Sequence, residues 1–338
     1  MLFRSRAEAL LGEQVDGHTE RAIPAMLPQL DRDVPSAGAY KRPAPNPSPE
    51  LRKVKISATA LDRLLGDPYQ FYAKEILKLK RLDPLAADPF SDPALRGTLV
   101  HDIMENWHKA RETQPDLPLI PFAEQYLRDE QVHPLFWGLW RPRITAALEK
   151  FEQWIEEDAQ AGRAVIATEV WGEMKVDGVK VFGRPDRIDR LADGTLAIVD
   201  YKSGKPPSKN EVSAGFRLQL GVLGLIARDG SFKTDQGALS GETSAYEFWS
   251  LKKAKDGAFG EKVSPLKLGT RETGLLPEEF LPQHEEYLRR AIANYINGTE
   301  PFTAKENPNY PGYDEYDQLM RLSEWLVHQI DTDAEDAA

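Results

Sequence analysis

GRPDRIDRLADGTLAIVDYKSG, residues 183–204, is the stretch on which the reading of the whole chain turns. It predicts two short strands joined by a turn. The first strand ends at Asp186, and the second, residues 196–199, runs into Asp200 and Lys202. Asp193-Gly194 is a hairpin turn signal, because Gly tolerates the left-handed backbone that a tight turn requires. Two carboxylates and an ammonium at the ends of adjacent strands can hold a divalent cation beside a reacting water. The same residue types are common as solvated charges at strand ends, and the stretch alone fits both readings.

Composition narrows the chemistry. The chain has 338 residues, enough for one large domain or two modest ones. Cysteine is absent, which excludes disulfides, zinc ribbons, thiol nucleophiles and thiolate-held iron–sulfur clusters within these residues. Any bound metal must therefore use carboxylate, carbonyl, imidazole or water ligands, and such a set favours Mg2+ or Mn2+. No window approaches the roughly 18 uninterrupted apolar residues of a membrane span, and no basic segment followed by an apolar core opens the chain. A soluble cytoplasmic protein is the expectation. No GxxxxGK[ST] run occurs, so no ATP site is expected in this chain.

The formal net charge of −11 argues against a generic nucleic-acid coat but leaves room for a local basic groove. Residues 51–82 carry eight basic residues against three acids. That excess suits a solvated helical face, with a phosphate-contacting surface as the sharper reading.

Taken in order, the chain opens with a flexible segment and a proline-rich linker, residues 1–50, in which Pro43, Pro45, Pro47 and Pro49 alternate and favour an extended form. An ordered domain is expected over 51–330, followed by a disordered acidic tail, 331–338. Ser57 is a plausible N-cap for a helix starting at Ala58, and Asp67-Pro68 ends it. Helices are expected over 94–112, about 121–132 and about 139–161. Trp140, Ile144, Leu148, Phe151 and Ile155 form the buried stripe of the last. Beyond 164 the runs become β-branched: one strand over 164–174, another over 180–186, then LAIVDYK. A helix over 210–230, a strand near 244–251, an edge at 258–266 and helices over 276–298 and 316–330 complete an α/β pattern. In the helix over 94–112, His101, Glu105 and His108 share one face. The HExxH pattern of metalloproteases is not present, and both a packed histidine and a metal ligand fit His101.

The order Pro185-Asp186 followed by Asp200-Tyr201-Lys202 resembles the PD…DxK signature of the PD-(D/E)XK nuclease superfamily. Glu169, the RGTLVH run ending at His101, and Gln219 extend the resemblance to the RecB-like branch. DPYQFYAKEILKLK and YDQLMRLSEWL resemble the C-terminal nuclease domain of AddB-type subunits of bacterial helicase–nucleases, over about residues 51–330. The resemblance implies a restriction-endonuclease-like fold, a small mixed sheet flanked by helices, with a further N- and C-terminal helical surround. It implies a Mg2+-dependent deoxyribonuclease, with Mn2+ as a substitute, that hydrolyses phosphodiesters of single-stranded DNA ends during double-strand break repair, beside an AddA-type partner subunit. Metal ligands would be His101, Asp186, Asp200 and the Tyr201 carbonyl. Asp186, Asp200, Lys202 and Gln219 would be catalytic, with Lys202 orienting or deprotonating water. Glu169 would stand behind the ligands or hold a second ion. Lys205, Lys209 and Arg217 would contact DNA. Two departures stand out: Leu223 replaces a tyrosine common four residues after the glutamine, and the four cysteines of an iron–sulfur cluster are missing. A module that binds DNA without cutting is the alternative reading.

Overall fold

The computed structural model describes residues 9–10, 40–80, 93–130, 134–270, 273–312 and 314–326. The expectations for 1–8, 11–39, 81–92 and 327–338 lie outside these residues. Contacts divide the chain into one unit of Met1–Lys41 with Ser323–Ala338 and another of Arg42–Leu322. The first is described only at residues 9–10, 40–41 and 323–326. The second holds both sheets and the helices that cover them.

The expected α/β architecture of mixed sheet flanked by helices is present, with its strands divided between two five-stranded sheets. The first contains β1 (Ile56–Ser57), β3 (Trp171–Val176), β4 (Val179–Gly183), β7 (Ser231–Thr234) and β8 (Gly237–Leu239), in the order β1-β4-β3-β7-β8. The second contains β2 (Ala164–Thr168), β5 (Arg187–Arg190), β6 (Leu196–Lys202), β9 (Thr243–Lys253) and β10 (Phe259–Val263), in the order β10-β9-β6-β5-β2. β6 is the central strand, parallel to β9 and antiparallel to β5. Both its faces are covered, as its nearly continuous apolar run requires. Alternation along the strand assigns the two cores. Ile198 packs in one with Leu223, Phe248 and Phe280, while Val199 and Tyr201 pack in the other with Trp107, Phe151 and Trp249.

Helices complete both layers: α1 (Ala58–Gly66), α2 (Pro68–Phe71, continued by a π-turn over Tyr72–Ile76), α3 (Pro93–Arg111), α4 (Leu119–Asp129), α5 (Pro134–Gln160), α6 (Lys209–Ser213), α7 (Gln219–Asp229) and α8 (Pro277–Ala291, continued by a π-turn over Ile292–Ile296). Ser57 caps α1, its hydroxyl accepting the Ala60 N–H at 3.1 Å. α7 touches strands of both sheets. It is buried from Leu220 to Ala227, which is why its sequence is apolar around most of its circumference. Gly221 lets the His284 ring lie on it, since a Cβ there would meet that ring at 2.1 Å.

Three expectations are corrected. The run 164–174 is two strands in different sheets, β2 and β3, because Glu169 takes a left-handed backbone (φ +52°) between them. The strand expected to end at Asp186 stops at Gly183, and Arg187 opens a new strand in the other sheet. The helix over 210–230 is interrupted between α6 and α7, where Gly215 has φ +81°. The two passages between sheets are pinned together, as the Glu169 N–H donates to the carbonyls of Pro185 (3.1 Å) and Asp186 (3.2 Å). The proline-rich stretch is tied to the main unit through Pro43 and Pro45, whose carbonyls accept from Ala304 and Phe302. β7 and β8 were not anticipated at all.

A buried ionic network underlies the second sheet. Arg163 donates to Asp189 (2.7 Å) and, through both terminal nitrogens, to Glu247 (2.9 and 3.0 Å). Arg187 donates to Asp189 (3.1 Å) and to the Tyr201 hydroxyl (3.1 Å), and lies 4.1 Å over the Trp249 ring. The Trp249 indole N–H donates to Glu247 at 2.8 Å. Removing Asp189 leaves the buried Arg187 guanidinium without its acid, while Arg163 keeps Glu247. Asp189→Ala should therefore cost about 3–5 kcal/mol, read from urea unfolding, and a loss below about 1 kcal/mol would contradict the network's role.

His284 supplies a pH signature. Its Nδ1 lies 2.7 Å from the Phe280 carbonyl, whereas Nε2 is buried without a partner. Burial drives its pKa from the ordinary 6.5 down to about 4. A depressed folded value in a base means that stability is complete above pH 6.5 and lost as pH falls toward 4. Between pH 7 and pH 4 the wild type should lose about 3 kcal/mol relative to His284→Leu. Parallel stability curves for the two proteins would refute this.

Candidate active site

The passages between the sheets bring Glu169 and Asp186 together at one point, and α3 adds His101. Its Nδ1 lies 3.2 Å from Asp186 Oδ1 and 3.8 Å from Glu169 Oε1, while Nε2 is 3.0 Å from the Tyr201 carbonyl. The Tyr201 N–H donates to Asp186 Oδ2 at 2.5 Å. Tyr201 thus presents both of its backbone polar groups to the cluster, and its side chain points away into the core.

Both imidazole nitrogens face oxygen acceptors, an arrangement that suits the doubly protonated ring. Burial works against that charge, but Asp186 and Glu169 outweigh it and raise the His101 pKa to about 10. Asp186 is pushed above the ordinary carboxylate range by burial and by the nearby Asp200 charge. Among the described residues, His101, Glu169 and Asp186 form the group able to ligate a metal, with one donor atom from each lying within 4.8 Å of the others. Oxygen donors with one imidazole, gathered where acids repel one another, fit a divalent cation of the Mg2+ or Mn2+ type. Arg184 closes the edge: its Nε is 2.7 Å from Glu169 Oε2, and Nη2 lies 3.4 Å from Glu105. Sequence reasoning did not single out Arg184. His108, on the same helical face as His101, is half-buried. Its pKa is lowered by burial and by Arg187, and its Nε2 has no partner.

Asp200 and Lys202 leave β6 on the opposite side from Tyr201, as strand alternation demands. Asp200 is 1 % exposed. Lys202 Nζ lies 2.6 Å from Asp200 Oδ2 and 3.3 Å from Gln219 Oε1. Burial disfavours the ammonium, yet Asp200 more than restores it and raises the lysine's pKa. Lys202 is therefore charged at neutral pH.

Gln219 opens α7, and the position of that helix depends on Asp62, which sequence reasoning counted only as a charge. Its buried carboxylate accepts the Leu218 N–H at 2.6 Å, fixing the helix entrance beside Lys202. Burial drives its pKa up to about 7, against the pull of Leu218, Arg217 and Lys202. An acid on the apolar stripe of ATALDRLLG was the available signal.

The remaining basic candidates are dispersed. Lys209 Nζ donates to the Leu266 carbonyl at 2.5 Å, Arg217 donates to the Pro311 carbonyl at 3.1 Å, and Lys205 is exposed. Leu223 is fully buried against Gly183, so an apolar contact occupies that position.

A family model described as the PD-(D/E)XK nuclease superfamily matches residues 55–312. A protein of Rickettsia bellii without an assigned function is 27% identical over 186 residues, covering 52% of this chain and 22% of its own length. A subunit of the ATP-dependent helicase/deoxyribonuclease of Streptococcus agalactiae is 26% identical over 192 residues, covering 54% of this chain and 16% of its own. The chain thus spans less than a quarter of the length of the curated relatives it matches. A solved Eubacterium rectale protein described as a candidate exonuclease shares 13% identity over 77% of this chain and 88% of that one, with a TM-score of 0.41.

A cation held by the cluster in the folded state alone stabilises the fold by mass action. At a hundredfold excess over its Kd, Mn2+ should add about 2.7 kcal/mol to wild type, seen as a rise in Tm. Asp186→Asn should abolish that rise, and an equal rise in the variant would exclude this cluster as the binding site.

Proposed function

Because the chain belongs to the PD-(D/E)XK nuclease superfamily, we propose that it is a divalent-metal-dependent deoxyribonuclease acting on single-stranded DNA ends. The observation that carries this reading is the convergence of His101, Asp186 and the Tyr201 backbone with Asp200, Lys202 and Gln219 about the end of β6. Asp186, Asp200, His101 and the Tyr201 carbonyl would hold Mg2+ or Mn2+, with Glu169 beside them. When bound, such a cation polarises a phosphoryl oxygen and lowers the pKa of water.

The chain's own groups perform the rest. Lys202 is kept charged by Asp200, so it donates to a phosphate oxygen or orients water rather than removing a proton, and it offsets the charge that grows on the phosphate as the water oxygen attacks. Gln219 holds the ammonium from its other side through its carboxamide oxygen. Asp62 keeps Gln219 in place by anchoring the start of α7.

The similarity to part of a helicase/deoxyribonuclease extends the proposal: an exonuclease that processes double-strand breaks in the cytoplasm, fed by an AddA-type helicase partner. No described helix is long and apolar enough to cross a membrane. A non-cutting DNA-binding module draws support from Leu223, which takes the place of a polar residue near the site. Cleavage decides between the two readings. Labelled single-stranded DNA should be degraded with Mg2+ or Mn2+ and spared with EDTA. Asp200→Ala should lower the rate at least about a hundredfold, and undiminished cutting by that variant would refute the assignment.

A further inference from the structure

A second feature lies at the carboxyl ends of the parallel strands β6 and β9, on the face opposite Lys202. It is a cavity of about 130 Å3 between α5, β10 and the turn after β6. Trp140 and Phe259 supply aromatic surface, and Arg143 and Lys252 supply positive charge. Ser203 and Gly204, which follow Lys202 directly, form part of the wall. The register pairs Lys202 with Ser250, so the turn and Lys252 leave the sheet at the same edge. The Gly204 carbonyl accepts from the Ser250 hydroxyl at 2.6 Å, which fixes that turn against β9.

Three properties point to the occupant. The Arg143 guanidinium lies 4.9 Å from the centre of the Trp140 ring, a pairing of cation and aromatic face that also receives nucleobases. Neither Arg143 nor Lys252 pairs with a carboxylate among the described residues, although acids outnumber bases by eleven across the chain. Gly204 is exposed, and a Cβ there would meet nothing within 4 Å, so the backbone is open to a close approach. An apolar peptide would leave both cations unanswered. A duplex could not offer a base face, since stacking and pairing occupy it. An unpaired nucleotide uses all three properties.

We propose that this cavity is a subsite for one unpaired nucleotide of single-stranded DNA, adjacent to the scissile phosphate, its base against Trp140 and Phe259 and its phosphate on Arg143 and Lys252. The proposal rests on the nuclease reading and adds the means by which the site selects unpaired strands. It also explains why sequence periodicity assigned Trp140 wholly to the core: the ring packs against the apolar cluster and also lines the cavity.

The test uses the full chain and a fluorescein-labelled single-stranded 12-mer, with binding read by anisotropy in EDTA and cleavage read separately with Mn2+. Arg143→Gln combined with Lys252→Gln should raise Kd and KM at least about tenfold, with kcat little changed. The pair should also lower the slope of log Kd against log salt by about 0.7, since both cations answer one phosphate and each phosphate contact on a single strand contributes about 0.7. Trp140→Ala should raise Kd about fivefold or more without changing that slope. Lys175→Gln with Lys233→Gln removes the same charge from the other sheet and should leave both quantities unchanged. If wild type cuts DNA and the Arg143/Lys252 pair binds and cuts as wild type does, the subsite is wrong and the nuclease reading stands. If wild type binds but does not cut, and the pair loses binding, the cavity still binds an unpaired nucleotide, while the nuclease reading falls and with it the place beside a scissile phosphate. If wild type neither binds nor cuts, both fall.

Discussion

Tyr201 is the residue on which the arrangement depends, because it faces two environments at once. Its backbone N–H and carbonyl bind Asp186 and His101. Its ring stacks 5.8 Å from Phe151, and its hydroxyl accepts from Arg187, itself held by Asp189. The cluster is therefore referenced to a rigid, buried ion network rather than to a loop. Such networks contribute little net stability when complete and cost much when broken, so their value here is positional. A shift of β6 by one residue would turn Tyr201 toward α7 and bury Asp200 and Lys202 in the aromatic core.

The second constraint is the double passage between the sheets. Glu169 and Asp186 come from connections that could have wandered independently. The Glu169 N–H binds both carbonyls of the Pro185-Asp186 pair and removes that freedom. The left-handed backbone at Glu169 costs on the order of 1 kcal/mol for a residue with a side chain, and these hydrogen bonds together with the Arg184 contacts offset it. Two carboxylates are thereby held at ligand distance before any cation arrives.

Much of this was legible in the chain. The cap at Ser57, the central strand LAIVDYK and the apolar helix after Gln219 followed from local rules, and each stands where periodicity put it. The order of Asp186, Asp200 and Lys202 pointed to this region through its resemblance to the PD…DxK signature, since the same residue types are also common as solvated charges at strand ends. What local rules could not convey was the partition of strands. AVIATEVWGEM reads as one β-branched run, and only the pairing of Thr168 with Arg187 and of Gly172 with Gly183 sends its halves to different sheets. Asp62, Arg163 and Glu247 escaped notice for a related reason. Their partners lie 156, 26 and 84 positions away, and no periodicity encodes a pairing at such distance. The break at Gly215 was visible as a glycine but not as a left-handed one.

The electrostatics of the centre show how a strongly acidic chain accommodates several buried acids. Asp186, Asp200 and Asp62 are buried within one small region, and each would be costly alone. The chain answers with His101 and Lys202, both held charged by the acids they neutralise. His101 takes up a proton where its partners are otherwise uncompensated, so the proton and a divalent cation compete for the same oxygens. The negative charge gathered at the centre is thus offset in part by His101 and Lys202. Beyond it, Arg143 and Lys252 continue a positive edge past the end of β6 without any buried acid to pair them. Net charge sets the approach of a strand over distances of about a Debye length, roughly 8–10 Å in physiological salt, and the side chains within that distance of β6 decide where it stops.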